Sequence, residues 1–130
     1  MKAKYIMTRD VVVAHPDMSV KEAADRLRQH RITGLPVVDK QGRVVGVFSL
    51  SDAALKRGRR VGEVMTSPAF TVSEEAGLEE VATLMVTHDV NRLPVVRDGR
   101  LVGIVARADV IRAVATRHAW PDEEMQERTE

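Results

Sequence analysis

The residues Leu35-Pro36-Val37-Val38 return as Leu93-Pro94-Val95-Val96, 58 positions later, and their surroundings return with them. Met7-Thr8 recurs as Met65-Thr66, Glu22 as Glu80, Ala24 as Ala82 and His30 as His88. After a one-residue deletion, Gly42-Arg43 recurs as Gly99-Arg100, Gly46 as Gly103 and Asp52 as Asp109. The chain is one unit of about 58 residues written twice, which constrains its fold more than any single motif does. Two copies are too few for a solenoid. The expected architecture is a pair of units around a pseudo-two-fold axis, with clefts that neither unit has alone.

Within each copy the pattern reads β-α-β-β-α. A short extended stretch comes first, Val11-Val12-Val13-Ala14 and then Ala69-Phe70-Thr71-Val72. A helix follows, opened in copy one by the capping-box pattern Ser19-Val20-Lys21-Glu22, with Val20, Ala23, Ala24 and Leu27 on one apolar face. Copy two repeats the face as Leu78, Val81, Ala82 and Met85 but has Gly77 at the cap, which predicts a looser helix start. Two β-branched runs then flank a turn, Asp39-Lys40-Gln41-Gly42 in copy one and the tighter Arg97-Asp98-Gly99-Arg100 in copy two. A last helix is expected near Ser51–Arg57 and Arg107–Arg117. The fold class is α+β. Its repeats span 1–60 and 61–119, joined at the cationic Lys56-Arg57-Gly58-Arg59-Arg60 and followed by an acidic tail at 120–130 expected to be disordered.

The composition narrows the classes of function. At 130 residues with 44% apolar content and 3% aromatics, the core must be built from Val, Leu, Ile, Ala and Met. There is no cysteine, so disulfides and thiolate chemistry are excluded. No apolar run approaches the ~20 residues of a membrane span, and the N-terminus lacks a signal core. A soluble, cytoplasmic chain without membrane attachment is expected. Net charge is +1 but unevenly divided: residues 1–60 hold 13 Lys/Arg against 6 Asp/Glu, and residues 61–130 hold 7 against 13.

The succession Met-Thr, extended stretch, capped helix, His-x-x-x-x-Leu-Pro-Val-Val, Gly turn, Gly-(Val/Ile)-(Phe/Val)-x-x-x-Asp and helix resembles the cystathionine-β-synthase (CBS) domain. Its tandem occurrence over about residues 3–118 resembles a Bateman module. The resemblance implies a regulatory sensor that binds an adenosine-containing nucleotide, such as AMP, ADP or ATP, in the clefts between the two CBS repeats. It also implies association of two modules through their helix faces, here a homodimer, and an effector protein on a separate chain.

The segment Gly46-Val47-Phe48-Ser49-Leu50-Ser51-Asp52 runs from a strand into a helix start, where unpaired backbone N–H groups and the helix dipole suit a phosphate. Asp52 suits ribose hydroxyls and Ser49 a phosphate oxygen, and the resemblance assigns them those roles. Ser51 and Asp52 are also ordinary helix-start residues. Copy two keeps Asp109 but has Ala106 in place of the hydroxyl, and either Arg107 or Arg92 could reach a phosphate or lie on the surface. By resemblance the base lies against Val12-Val13 or Phe70-Thr71, with a turn at Gly34-Leu35-Pro36 or Arg92-Leu93-Pro94 closing the other side. For Val12, Leu35 and Leu93 a core role is the competing reading. On these residues copy one keeps the fuller site.

Catalysis is not expected. His15, His30, His88 and His118 lack metal-ligand spacing, Ser49 has no histidine in its motif, and no Gly-rich phosphate loop of the hydrolase kind occurs. No metal and no catalytic cofactor are expected. Two alternatives stand beside the sensor. One is a nucleic-acid binder using residues 56–60, which the scarcity of aromatics and the near-neutral charge argue against. The other is a dimerisation platform with degenerate pockets.

Overall fold

A computed structural model of the chain describes residues 1–119, so the tail at 120–130 lies outside the described residues. The elements are α1 (Ala3–Ile6), α2 (Val20–His30), β1 (Gly34–Val38), β2 (Val44–Ser49), α3 (Leu50–Leu55), α4 (Val61–Val64), β3 (Val72–Ser73), α5 (Leu78–His88), β4 (Arg92–Arg97), β5 (Arg100–Ala106) and α6 (Arg107–Ala119). Helix and strand mix within each copy, as an α+β chain of two repeats should. Copy one reads α-α-β-β-α and copy two α-β-α-β-β-α, because the four-residue helices α1 and α4, too short for an apolar period to register, precede the expected elements and only copy two forms the first strand.

The chain divides into two compact units whose bounds are not those of the repeats. The copy-one unit is Val12–Ala69 with Asp98–Leu101, and the copy-two unit is Met1–Val11, Phe70–Arg97 and the residues from Val102 onward. The leading segment belongs to copy two because its backbone is bonded there. The Ala3 amide donates to the Ala76 carbonyl (2.7 Å), Lys4 N–H to Glu74 (3.0 Å), and Thr8 exchanges bonds of 2.8 and 2.9 Å with Ile104. Residues 61–69 do the same work for copy one, where Thr66 and Val47 exchange two bonds of 2.9 Å.

In the copy-one unit β1 and β2 pair antiparallel, Leu35 opposite Phe48 and Pro36 opposite Val47. Ala14, Met18, Ala23, Leu27, Leu35, Val37, Phe48, Val61 and Val64 form its core. The copy-two unit holds a three-stranded sheet, β3-β4-β5, over Ala3, Val72, Ala76, Leu78, Val81, Met85, Leu93, Val95, Val105, Val110 and Ala113. Across the two cores Phe48 corresponds to Val105 while Ala23 corresponds to Val81. A large residue lost at one position is offset by a larger one at another, the kind of exchange cores tolerate best.

The extended stretches that open each copy are shorter than expected. In copy one only Ala14 is bridged, its N–H to Pro36 O (3.0 Å) and its carbonyl to Val38 N–H (2.9 Å), so Val11–Val13 are not strand. In copy two the strand is Val72–Ser73, parallel to Val95–Val96, rather than 69–72. The difference has a covalent cause. Two residues beyond Ala14 stands Pro16, which has no N–H, whereas its counterpart Glu74 donates to Val96 O at 3.0 Å and prolongs the ladder.

Ser49, rather than Ser51, is the N-cap of α3, which ends at Leu55 where Lys56 turns to extended backbone. Ser19 accepts from the Glu22 N–H as its pattern predicts. Gly77 supplies no side-chain cap, yet the start of α5 is not left loose: Leu78 N–H donates to Met1 O at 2.9 Å. Copy one does the same with Val20 and Arg59 O. The deletion in the second turn leaves Asp98 and Gly99 both at positive φ (53° and 80°), the backbone of a two-residue turn of the I′ kind.

Candidate functional site

In copy one the end of β2 and the head of α3 place Asp52 where three elements meet, and the side chain is 2% exposed. Asp52 Oδ2 accepts from Ser49 N–H (2.9 Å) and from Ser49 Oγ (2.9 Å). Oδ1 accepts from Thr66 Oγ1 (3.1 Å) and pairs with Lys56 Nζ (2.7 Å). Burial by itself would raise this carboxyl. The hydrogen bonds from Lys56, the Ser49 backbone and hydroxyl, and Thr66 outweigh it and hold Asp52 below the usual carboxylate range. The Ser49 hydroxyl, with a single proton to give, lies within bonding distance of Asp52 while accepting the Asp52 N–H. The capping reading therefore holds for Asp52, but its partner in the capping box is Ser49 and not Ser51.

Val12 and Val13 are half-buried, and the Val13 carbonyl accepts from Arg26 Nη1. Gly34, Leu35 and Pro36 are not a turn. They open β1, with Leu35 and Pro36 buried in the core, because two apolar side chains in an antiparallel pair are driven inward. Arg92, Leu93 and Pro94 likewise open β4, with Leu93 and Pro94 buried and Arg92 half-buried. In both copies these residues can offer a ligand backbone groups, not the side chains of Leu or Pro.

Copy two differs at the acid. Asp109 Oδ2 accepts the Ala106 N–H (2.8 Å), keeping the half of the box that a carboxylate supplies. Its Oδ1 is met by Arg112 Nη1 at 3.2 Å, a pair whose arginine is 70% exposed. Exposed pairs of this kind are worth little and exchange readily with solvent. Arg107 is exposed at the first position of α6, a helix of thirteen residues, and its N–H donates to Asn91 O (2.8 Å). Thr71 is half-buried. Phe70 is 49% exposed and stacks on His88, ring centroids 3.8 Å apart and 17° from parallel. At the positions of Phe70 and His88, copy one carries Val12 and His30.

Several residues here had another reading in the sequence. His88, the last residue of α5, lies against Phe70, a contact that no local pattern announces. Lys56 was expected as part of a solvated joint, although its place four residues after Asp52 on a helix signals such a pair. Thr66 and Arg26 reach their acceptors from 14 and 13 residues away, with no local signal. Among the described residues no cluster of His, Cys, Asp and Glu could hold a metal ion, and no helix is long and apolar enough to cross a membrane.

Comparison with known proteins places these cradles in a family. The CBS domain matches residues 3–56 and again 61–116. CBS domain-containing protein YhcV of Bacillus subtilis is 36% identical over 114 residues, covering 82% of this chain and 81% of its own. Inosine-5'-monophosphate dehydrogenase of Methanocaldococcus jannaschii is 35% identical over 85% of this chain, which spans 23% of that enzyme. The structure of CBSX2 from Arabidopsis thaliana in complex with AMP has a TM-score of 0.82 and 33% identity, covering 88% of this chain and 96% of its own. The CBS domain pair of protein MJ0100 in complex with 5'-methylthioadenosine and S-adenosyl-L-methionine has a TM-score of 0.80 and 32% identity, covering 90% and 98%. With both copies matched and the fold shared over nearly its described length, the chain belongs to the CBS domain family as two CBS domains in tandem.

Proposed function

We propose that this CBS pair is a regulatory, non-catalytic module that binds an adenosine-containing nucleotide and signals its presence to a separate partner protein. The observation that carries the reading is Asp109, a carboxylate at the head of a thirteen-residue helix with one oxygen met, among the described residues, by an exposed arginine alone. Such an oxygen accepts from ribose hydroxyls at little cost. The positive end of the α6 dipole and the Arg107 guanidinium suit a phosphate beside it. The half-exposed ring of Phe70 gives a purine a flat apolar face. The adenosine compounds held by CBSX2 and by the MJ0100 pair are of this chemistry. Ligand binding then shifts a conformational population that the partner reads.

Isothermal titration with AMP, ADP, ATP, NAD and S-adenosylmethionine tests the reading. At least one of these binds, and Asp109→Ala weakens it about tenfold or more, the loss of a charge-assisted hydrogen-bond pair. No heat from any of the five at millimolar concentration would overturn the adenosine reading. Self-association through helix faces belongs to the same proposal. Leu50 and Leu55 on α3, Val86 on α5 and Ile111 on α6 are between 60% and 82% exposed, apolar side chains that a second copy could cover. Sedimentation velocity is expected to show a dimer that Leu55→Glu shifts toward monomer, and a wild type that stays monomeric at all concentrations would remove this part.

A further inference from the structure

We propose that copy one's half-site is closed from within by two cations of its own unit, Lys56 on Asp52 and Arg26 on the Val13 carbonyl, so that the nucleotide is taken at copy two. The inference rests on the adenosine reading above and decides where the ligand goes. The two acceptors concerned are those that the resemblance gives to ribose and to the base edge. In copy one both already have cationic donors. Lys56 Nζ lies 2.7 Å from Asp52 Oδ1 and is anchored a second time by the Val64 carbonyl at 3.1 Å. Arg26 Nη1 donates to Val13 O, and the same guanidinium lies 3.7 Å from Glu22. A ribose entering here must displace Lys56 or Thr66 from a carboxylate whose side chain is 3% exposed, breaking a charge-assisted contact that it then has to replace.

Copy two carries neither cation. The residue corresponding to Arg26 is Leu84 and the one corresponding to Lys56 is Ala113, and neither side chain has a proton to donate. Ala113 is buried in the copy-two core, and the cation that does meet Asp109 Oδ1 is Arg112, at the longer distance of 3.2 Å and 70% exposed. The carboxylate of Asp109 is 13% exposed and keeps one firm internal donor, the Ala106 N–H. Loss of the serine hydroxyl at Ala106, which on sequence alone weakens copy two, leaves the acid less committed to its own helix. Two substitutions remove the plugs and a third frees the acceptor.

The test gives copy one the residues of copy two. Titration of the wild-type chain with AMP yields a single site per chain, weakened about tenfold or more by Asp109→Ala and little changed by Arg26→Leu alone. The double variant Arg26→Leu/Lys56→Ala gains a second site, and its binding survives Asp109→Ala. Two equivalent sites in the wild type, or AMP affinity in Asp109→Ala within about twofold of wild type, overturn the closure while sparing the adenosine reading. A readout without ligand accompanies it: acetylation of Lys56 by acetic anhydride, followed by mass spectrometry, is about tenfold slower than that of exposed Lys40 and loses this protection in Asp52→Ala. Equal rates at both lysines overturn the closure, also where the double variant fails to fold. Protection of Lys56 with no AMP bound by any variant overturns the adenosine reading instead, and with it the assignment of a ligand to copy two.

Discussion

Asp52→Ala lowers the stability of the chain by about 2–3 kcal/mol in urea unfolding, the cost of leaving several buried donors without their acceptor. The Ser49 N–H, the Ser49 hydroxyl, Thr66 Oγ1 and Lys56 Nζ all converge on this carboxylate. Lys56 is 47% exposed at its side chain and can turn to water, which keeps the loss at the lower end of what a broken buried pair costs. The equivalent change Asp109→Ala costs about 1 kcal/mol, since it removes one capped N–H and one exposed pair. The acid limb of stability follows from the direction of the shift. Because the folded Asp52 carboxyl titrates below its unfolded value near 3.9, its contribution is fully present above that value and is lost as pH falls through the lower folded one. Asp52→Ala therefore flattens the stability profile below about pH 4. An unchanged acid limb would show that the network does not persist in solution.

Gly46→Val and Gly103→Val each lower the melting temperature by several degrees, corresponding to about 2–3 kcal/mol of overpacking. A Cβ on Gly46 would stand 2.8 Å from Met65 Sδ and 2.9 Å from the Thr66 carbonyl, and one on Gly103 would meet the Met7 side chain and, at 3.0 Å, the Thr8 carbonyl. A methionine can swing aside. The threonine carbonyl cannot, because it accepts from Val47 or Ile104 in a two-bond bridge. This explains why Met-Thr and the glycine recur together in both copies: the glycine makes room for the thread that the threonine pins. Differential scanning calorimetry of the two variants should show losses of similar size in the two copies. A tolerated valine at either position would mean that the thread is not held there.

Much of the fold could be read from the sequence because its signals are local. The apolar faces of α2 and α5, the Gly turns and the strands that flank them obey short periods and stand where the periods place them. What was not legible depends on non-local partners or on very short elements. Nothing near Ala3 or Val61 announces a four-residue helix. The effect of Pro16 on the parallel ladder shows only beside Glu74, in the other copy. At the candidate site the sequence identified Ser49, Asp52 and Asp109 and left capping and binding undecided. The structure realises the capping at Asp52 through Ser49 and adds Thr66 and Lys56 to the same carboxylate, Thr66 from beyond the local sequence. The Leu-Pro residues were expected as a turn, and burial of their side chains made them strand.

The exchange of the leading segment has a kinetic consequence. Residues 61–69 reach Val47 across a short span of chain, whereas Thr8 must find Ile104 across nearly the whole of it. Closing so long a loop is slow and raises the contact order of the copy-two unit relative to copy one. Copy one can then complete its core while copy two still awaits a strap from the far end of the chain. Moving residues 1–11 to a position directly before Phe70 would make the second unit continuous, and its rate of formation would rise toward that of the first.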